Sequence, residues 1–340
     1  MGEECAQAAA AGEEKVSLPF QNNMTAESTA RASAAKPEIV GNWATLLLPL
    51  NGDESIDYAL LEEELERFIA AGVNGIYSNG SAGEFYAQSE EEFDRIHALL
   101  AERCTARGVP FQIGVSHMSP QLSRERLRRV KSLRPIAVQV ILPDWFPPTF
   151  DEIVDFCRVM AAEAAPVPLV LYNPPHAKRS LTPSEWAVLI ERVPEIVGIK
   201  VPGGDDAWYE AMRPVLNRIS VFIPGHTLAS GLAKGAHGAY SNVACLNPAG
   251  AQRWYELCVA RPEEGAVLEK RIQKFWFAEI GPLIAHRKLP NMAADKAAAA
   301  AGGWLPGFHP RLRWPYRSCP PEEAARIGAV ARSELPEFFA

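Results

Sequence analysis

Glu195-Ile196-Val197-Gly198-Ile199-Lys200-Val201-Pro202-Gly203-Gly204-Asp205, within the stretch Val193 to Asp206, decides how the rest of the chain is read. A short apolar run closed by Pro and Gly is the pattern of a strand buried on both faces of a parallel sheet. Two positions before the first breaker, Pro202, stands a lysine, Lys200. At the C-terminal end of such a strand, low-dielectric walls disfavour the ammonium form and lower the pKa, leaving a neutral amine able to attack a carbonyl. The alternative is that Lys200 only marks where the strand leaves the core, with its head snorkelling to water.

Working outward from that strand, apolar runs alternate with amphipathic helices from Gly41 onward. The expected strands are Trp43 to Leu50, Gly75 to Asn79, Phe111 to Ser116, Ala137 to Leu142, Pro168 to Asn173, Ile196 to Val201, Ser220 to Pro224 and Gly238 to Asn242. Helix starts follow them. Asp57 opens a stripe of Tyr58, Leu61, Leu65, Phe68 and Ile69, and Ser89 with Glu92, Thr149 with Glu152 and Thr182 with Glu185 read as capping boxes. Eight such units predict a (β/α)8 barrel, an α/β fold of about 250 residues. A doubly wound open sheet is the runner-up, and the first strand-to-helix turn lacks its G-x-G-x-x-G signature.

The expected domain organisation is a disordered leader over 1–36, rich in Ala, Glu and Ser, then the barrel over 37–260 and a helical extension over 261–340. The extension reads as helices Glu263 to Ile284, Met292 to Ala301 (almost pure alanine) and Pro321 to Leu335, packed on the barrel or against another subunit. A loop from Gly302 to Cys319, holding Trp304, Phe308, Trp314 and Tyr316, is expected to wrap a surface.

Composition narrows the function. The 340 residues carry a formal net charge of -7, which offers no basic face for nucleic acid. The six cysteines form no C-x-x-C pair and read as reduced thiols of a cytoplasmic protein. No apolar run approaches the roughly 18 residues a membrane helix needs, and no His/Cys/Asp spacing suggests a metal site.

In a barrel the C-terminal strand ends share one mouth. Around it the sequence places Thr45, Asn79-Gly80-Ser81-Ala82-Gly83-Glu84, Ser116-His117, Asp144-Trp145-Phe146, Tyr172-Asn173-Pro174-Pro175-His176, Lys200, Gly225-His226 and Tyr240-Ser241-Asn242. Three of these motifs, Gly80-Ser81-Ala82-Gly83-Glu84, Tyr172-Asn173-x-Pro175 and Gly198-Ile199-Lys200, resemble in order and spacing the dihydrodipicolinate synthase and N-acetylneuraminate lyase family.

That resemblance implies that Lys200 forms an imine with the 2-oxo group of pyruvate or a longer 2-oxo acid, and that Tyr172 passes protons at the imine and aldol oxygen. It implies that Ser81 and Ala82, with Gly80 beside them, hold the substrate carboxylate, and that the small size of Gly225 leaves room for substrate. No metal or other cofactor is expected, and a homotetramer or homodimer is.

The departures are specific. One of two adjacent hydroxyl residues is replaced by Ala82, and the tyrosine that dihydrodipicolinate synthases donate across a subunit contact is absent from Asp144-Trp145-Phe146. Ala177 stands where those synthases carry a carboxylate-binding arginine; Lys178 or Arg179 replaces that charge after a one-residue shift, or both are solvated surface charges. The expectation is a divergent member, with Asp144, Trp145, His226 and Asn242 shaping a pocket for a different aldehyde or a sugar-acid tail. The expected activity is that of a lyase joining or separating pyruvate and an aldehyde. A dehydratase of a 2-keto-3-deoxy sugar acid using the same imine is the alternative, and a barrel that binds a 2-oxo acid without turnover is a third reading.

Overall fold

The computed structural model describes residues 39–340, so the expected leader lies outside the described residues. Eight parallel strands close into a barrel in sequence order: β1 Gly41–Thr45, β2 Gly75–Ser78, β3 Phe111–Gly114, β4 Ala137–Ile141, β5 Leu169–Tyr172, β6 Ile196–Lys200, β7 Ser220–Pro224 and β8 Gly238–Tyr240. Closure is made by β1 against β8, where Trp43 is level with Tyr240. The strands are buried almost throughout, because side chains fill the barrel on one face and helices cover the other. Trp43, Tyr77, Val170, Val197, Phe222 and Tyr240 belong to the inner cluster, while Ile76, Ile113, Leu171 and Ile199 pack outward under the helices.

The first and last strands are shorter than the sequence suggests. Beyond Thr45 the apolar run stays buried but leaves the ladder, since the Leu47 N–H donates to the Glu64 carboxylate at 2.8 Å. After Tyr240, Ser241 becomes a helix cap, its hydroxyl accepting from Ala244 N–H at 3.1 Å, and opens the short helix Asn242–Leu246. The three capping boxes form as expected.

One irregularity positions the mouth. Between β5 and β6, Leu169 is level with Ile196 but Val170 is level with Gly198, so β6 carries one extra residue, Val197. Such a bulge re-aims every residue beyond it. Strict alternation from the inward Val197 would turn Ile199 inward and Lys200 outward; instead Ile199 joins the outer core and Lys200 stands level with Tyr172.

The C-terminal part is helical where expected. Helix Pro262–Phe275 passes through a π-helical turn, Trp276–Ile280, into Gly281–Ala285. Helix Asn291–Gly302 is buried along nearly its whole length. Its alanines permit close approach on every side: a Cβ on Gly302 would lie 1.7 Å from the Leu246 carbonyl, and one on Gly328 in the neighbouring helix Pro321–Glu334 would lie 2.4 Å from the Ala301 carbonyl. In the following loop, Trp304 donates to the Cys245 carbonyl at 2.7 Å, whereas Trp314 stays exposed. Among the described residues no helix is long and apolar enough to cross a membrane.

Candidate active site

A cavity of about 480 Å³ opens at the C-terminal ends of the strands, with Lys200 in its wall. Lys200 is half-buried, and its Nζ donates to the Tyr77 hydroxyl at 3.1 Å. The same nitrogen lies 4.2 Å from the ring centre of Tyr172, 4.9 Å from that of Tyr77 and 5.4 Å from that of Tyr240. Ring faces attract a cation, but they do not replace lost hydration. Burial accordingly pulls the Lys200 ammonium down to about 8, against the opposing pull of the Asp295 carboxylate.

Asp295 reaches the cavity from helix Asn291–Gly302 and is almost fully buried. Its Oδ2 accepts from the Asn291 side chain at 3.2 Å. Burial pushes its carboxyl up to about 6, and the attraction of Lys200 acts the other way. Tyr172 is held neutral by burial, which moves its phenol up to about 12 in spite of a hydrogen bond with Ser81. Burial also raises the phenols of Tyr77 and Tyr240, the latter donating to Gln112 Oε1. The floor therefore presents one amine, one carboxyl and three unionised phenols.

The other sequence-derived residues separate into those on the cavity wall and those away from it. His226 and Asn242 line it together: the Asn242 Oδ1 accepts the His226 backbone N–H at 3.3 Å and its amide nitrogen meets His226 Nδ1 at 2.9 Å. An amide nitrogen only donates, so Nδ1 accepts and the ring proton sits on Nε2. Burial depresses the His226 pKa, and its ring lies parallel to Trp276, 4° between planes and 5.8 Å between centres. Gly225 is buried beside them; a Cβ there would come 2.5 Å from Ser241 Oγ and 3.0 Å from Asn242 Oδ1, so its smallness makes room for the Asn242 side chain.

Ser81 and Ala82 form a buried 3-10 turn that begins just after Gly80. Ser81 reaches Tyr172, yet neither Ser81 nor Ala82 is on the cavity wall. The turn is anchored from below, because Glu84 ends it in a left-handed conformation (φ 50°) and its buried carboxylate meets Lys296. Asn173 fixes the loop after β5, donating to the Arg179 carbonyl at 2.8 Å and accepting the Leu181 N–H at 2.9 Å. Pro175 and His176 in that loop line the cavity. Asp144 and Trp145 do not: the Asp144 carboxylate accepts the Lys178 N–H at 2.9 Å, and Trp145 projects outward, 73% exposed.

The sequence reading missed Tyr77 and Asp295 as site residues. Tyr77 reads as one more apolar strand position. Asp295 left a signal, since Asp295-Lys296 interrupts an otherwise alanine-rich helix and a buried charge pair in such a place needs a reason.

Similarity to known proteins agrees with this geometry. The model of the dihydrodipicolinate synthetase family matches residues 38–316. A 4-hydroxy-tetrahydrodipicolinate synthase of Thermomicrobium roseum is 29% identical over 211 residues, 62% of this chain and 69% of that protein. An N-acetylneuraminate lyase of Escherichia coli O1:K1 is 27% identical over 200 residues, 58% of this chain and 67% of the lyase. The solved structure of the 4-hydroxy-tetrahydrodipicolinate synthase from Methylacidiphilum fumariolicum SolV shares the fold, with a TM-score of 0.76 at 22% identity, over 89% of this chain and 99% of the other. With a closed eight-stranded barrel and a family match across nearly all its described residues, the chain belongs to the dihydrodipicolinate synthetase family.

Proposed function

We propose that the chain is a lyase of the class I aldolase type, acting on pyruvate and an aldehyde through an imine on Lys200. The observation that carries this reading is an amine lowered to about 8, open to a cavity and ringed by three phenols. The neutral amine adds to C2 of pyruvate, and loss of water gives the imine. Loss of a C3 proton from the protonated imine gives the enamine, the nitrogen serving as electron sink. C3 then attacks the aldehyde carbon, the former carbonyl oxygen takes up a proton, and water hydrolyses the imine to release a 4-hydroxy-2-oxo acid and Lys200. Cleavage is the same sequence reversed.

The proton transfers are assigned to Tyr172, a reading supported by its position level with Lys200 across the sheet and its link to Ser81. The carboxylate of pyruvate is assigned to the turn at Ser81 and Ala82, which lies behind the cavity wall and reaches it through the contact of Ser81 with Tyr172. The test is reduction with borohydride in the presence of pyruvate, followed by mass mapping of the adduct. A reduced adduct on Lys200 is expected; its absence, with other 2-oxo acids also tried, removes the aldolase reading in favour of binding without turnover. Product analysis separates cleavage into pyruvate and aldehyde from loss of water with the carbon skeleton intact.

A further inference from the structure

Away from Lys200 the cavity wall is divided chemically. Trp276, Ile280 and Ile284 come from one continuous helical segment at spacings of four, which puts them on one face, and that face is turned to the cavity. Val201 and Pro202, just past β6, continue the apolar side. Trp276 is supported from behind by the parallel ring of His226, so its plane is fixed. His226 and Asn242 adjoin it on the wall, and their facing polar atoms, His226 Nδ1 and the Asn242 amide, are already bonded to each other.

Charge on the wall is equally one-sided. Among the described residues lining the cavity, Lys200 is the one lysine or arginine, and the imine consumes it. The two cations in the loop after β5 are committed elsewhere and do not line the cavity. Lys178 Nζ donates to the Trp145 carbonyl at 3.0 Å, while Arg179 donates to the Ser180 carbonyl at 2.7 Å and pairs with Glu185. A carboxylate on the incoming aldehyde would be desolvated with no lysine or arginine to pair with and would share the cavity with Asp295. A chain of hydroxyls would lie against Trp276, Ile280 and Ile284, whose side chains offer no acceptor. A flat uncharged group loses nothing there and buries its faces.

Resting on the Lys200 reading above, we infer that the electrophile is an uncharged aldehyde with a flat apolar body, of the aromatic class, seated against Trp276, Ile280 and Ile284. C3 of the pyruvate enamine forms the new bond to the aldehyde carbon, the carbonyl pair moves to oxygen and is protonated, and hydrolysis releases an aryl-substituted 4-hydroxy-2-oxo acid.

The experiment gives the full chain pyruvate together with benzaldehyde, succinate semialdehyde or glyceraldehyde, and measures kcat/KM for the aldol product by mass spectrometry. Borohydride trapping with pyruvate alone runs in parallel. The expected result is trapping on Lys200 and a preference for benzaldehyde of about 100-fold over each of the other two. Ile284, itself 39% exposed, tolerates a longer polar chain at the rim. Ile284→Lys is therefore expected to shift the ratio of rates by about tenfold or more toward succinate semialdehyde. Trapping accompanied by equal or better use of the charged or polyhydroxylated aldehyde overturns the inference, as does trapping with no aldehyde consumed, or an unmoved ratio in Ile284→Lys. Failure to trap any 2-oxo acid overturns the imine reading, and the inference with it.

Discussion

Two lysines of this barrel lie in low-dielectric surroundings and meet opposite fates. Lys296 is sealed, with no accessible surface, and its three donors are matched: the Glu84 carboxylate, the Leu48 carbonyl at 2.6 Å and the Arg311 carbonyl at 2.6 Å. Lys200 has one hydroxyl partner, three ring faces and an open side. Burial pulls both ammonium groups below the usual lysine value. What separates the strut from the proposed nucleophile is the partner set: a carboxylate in contact with Lys296 keeps its charge useful to the fold, whereas Lys200 can give up its proton and still be satisfied.

The sharpest break between them is Lys200→Ala. Loss of all turnover and of any reduced pyruvate adduct is expected, with the denaturation midpoint little changed. An adduct on another residue would end the special role of Lys200. Tyr172→Phe comes next, with kcat expected to fall about 10²- to 10⁴-fold while trapping on Lys200 persists, since in the proposed mechanism the phenol moves protons but is not the nucleophile. If trapping vanished as well, Tyr172 would be needed to form the imine and not only to use it.

Lys296→Met tests the other half. It leaves Glu84 buried without its cation, a change that costs about 3–5 kcal/mol in stability by urea unfolding. Pairing it with Glu84→Gln should recover a good part of that loss, because the stranded charge is then gone. A Lys296→Met protein of normal stability but no turnover would erase the distinction between the two lysines.

How much of this was readable in the sequence follows from the same contrast. Lys200 was legible because it ends an apolar strand, and Tyr172 because it belongs to a motif with neighbouring breakers. Period and capping residues delimited the strands and helices for the same reason: they are local rules. Asp295 and Tyr77 became site residues only through closure of the barrel and docking of a helix far along the chain, neither of which leaves a local pattern. The bulge at Val197 is likewise invisible in a run of apolar residues, although it turns Lys200 inward. Asp144 and Trp145 show the converse: they follow a strand, but position after a strand is not position in the mouth, and loop conformation sends Trp145 outward.

The smallest expected effect is the most diagnostic of how the C-terminal helix meets the barrel, for Asp295 and Lys296 are consecutive, one acting on Lys200 and the other pairing with Glu84. Asp295→Asn keeps the shape and an acceptor for Asn291 but removes the charge that holds Lys200 up. The other titratable groups around Lys200 are uncharged here: burial raises the Tyr77, Tyr172 and Cys245 acids and lowers His176. Without Asp295 the amine therefore titrates below its present value of about 8, and the rising limb of imine formation moves to lower pH. Below about 6 Asp295 is protonated in the native protein too, so the two proteins converge there; above about 8 both amines are neutral and they converge again. The gain belongs to the window between, where trapping of pyruvate should be a few-fold to about tenfold faster in the variant. A limb that stays in place, or moves upward, would mean that Lys200 does not feel Asp295 and that the C-terminal helix supports the barrel without tuning its nucleophile.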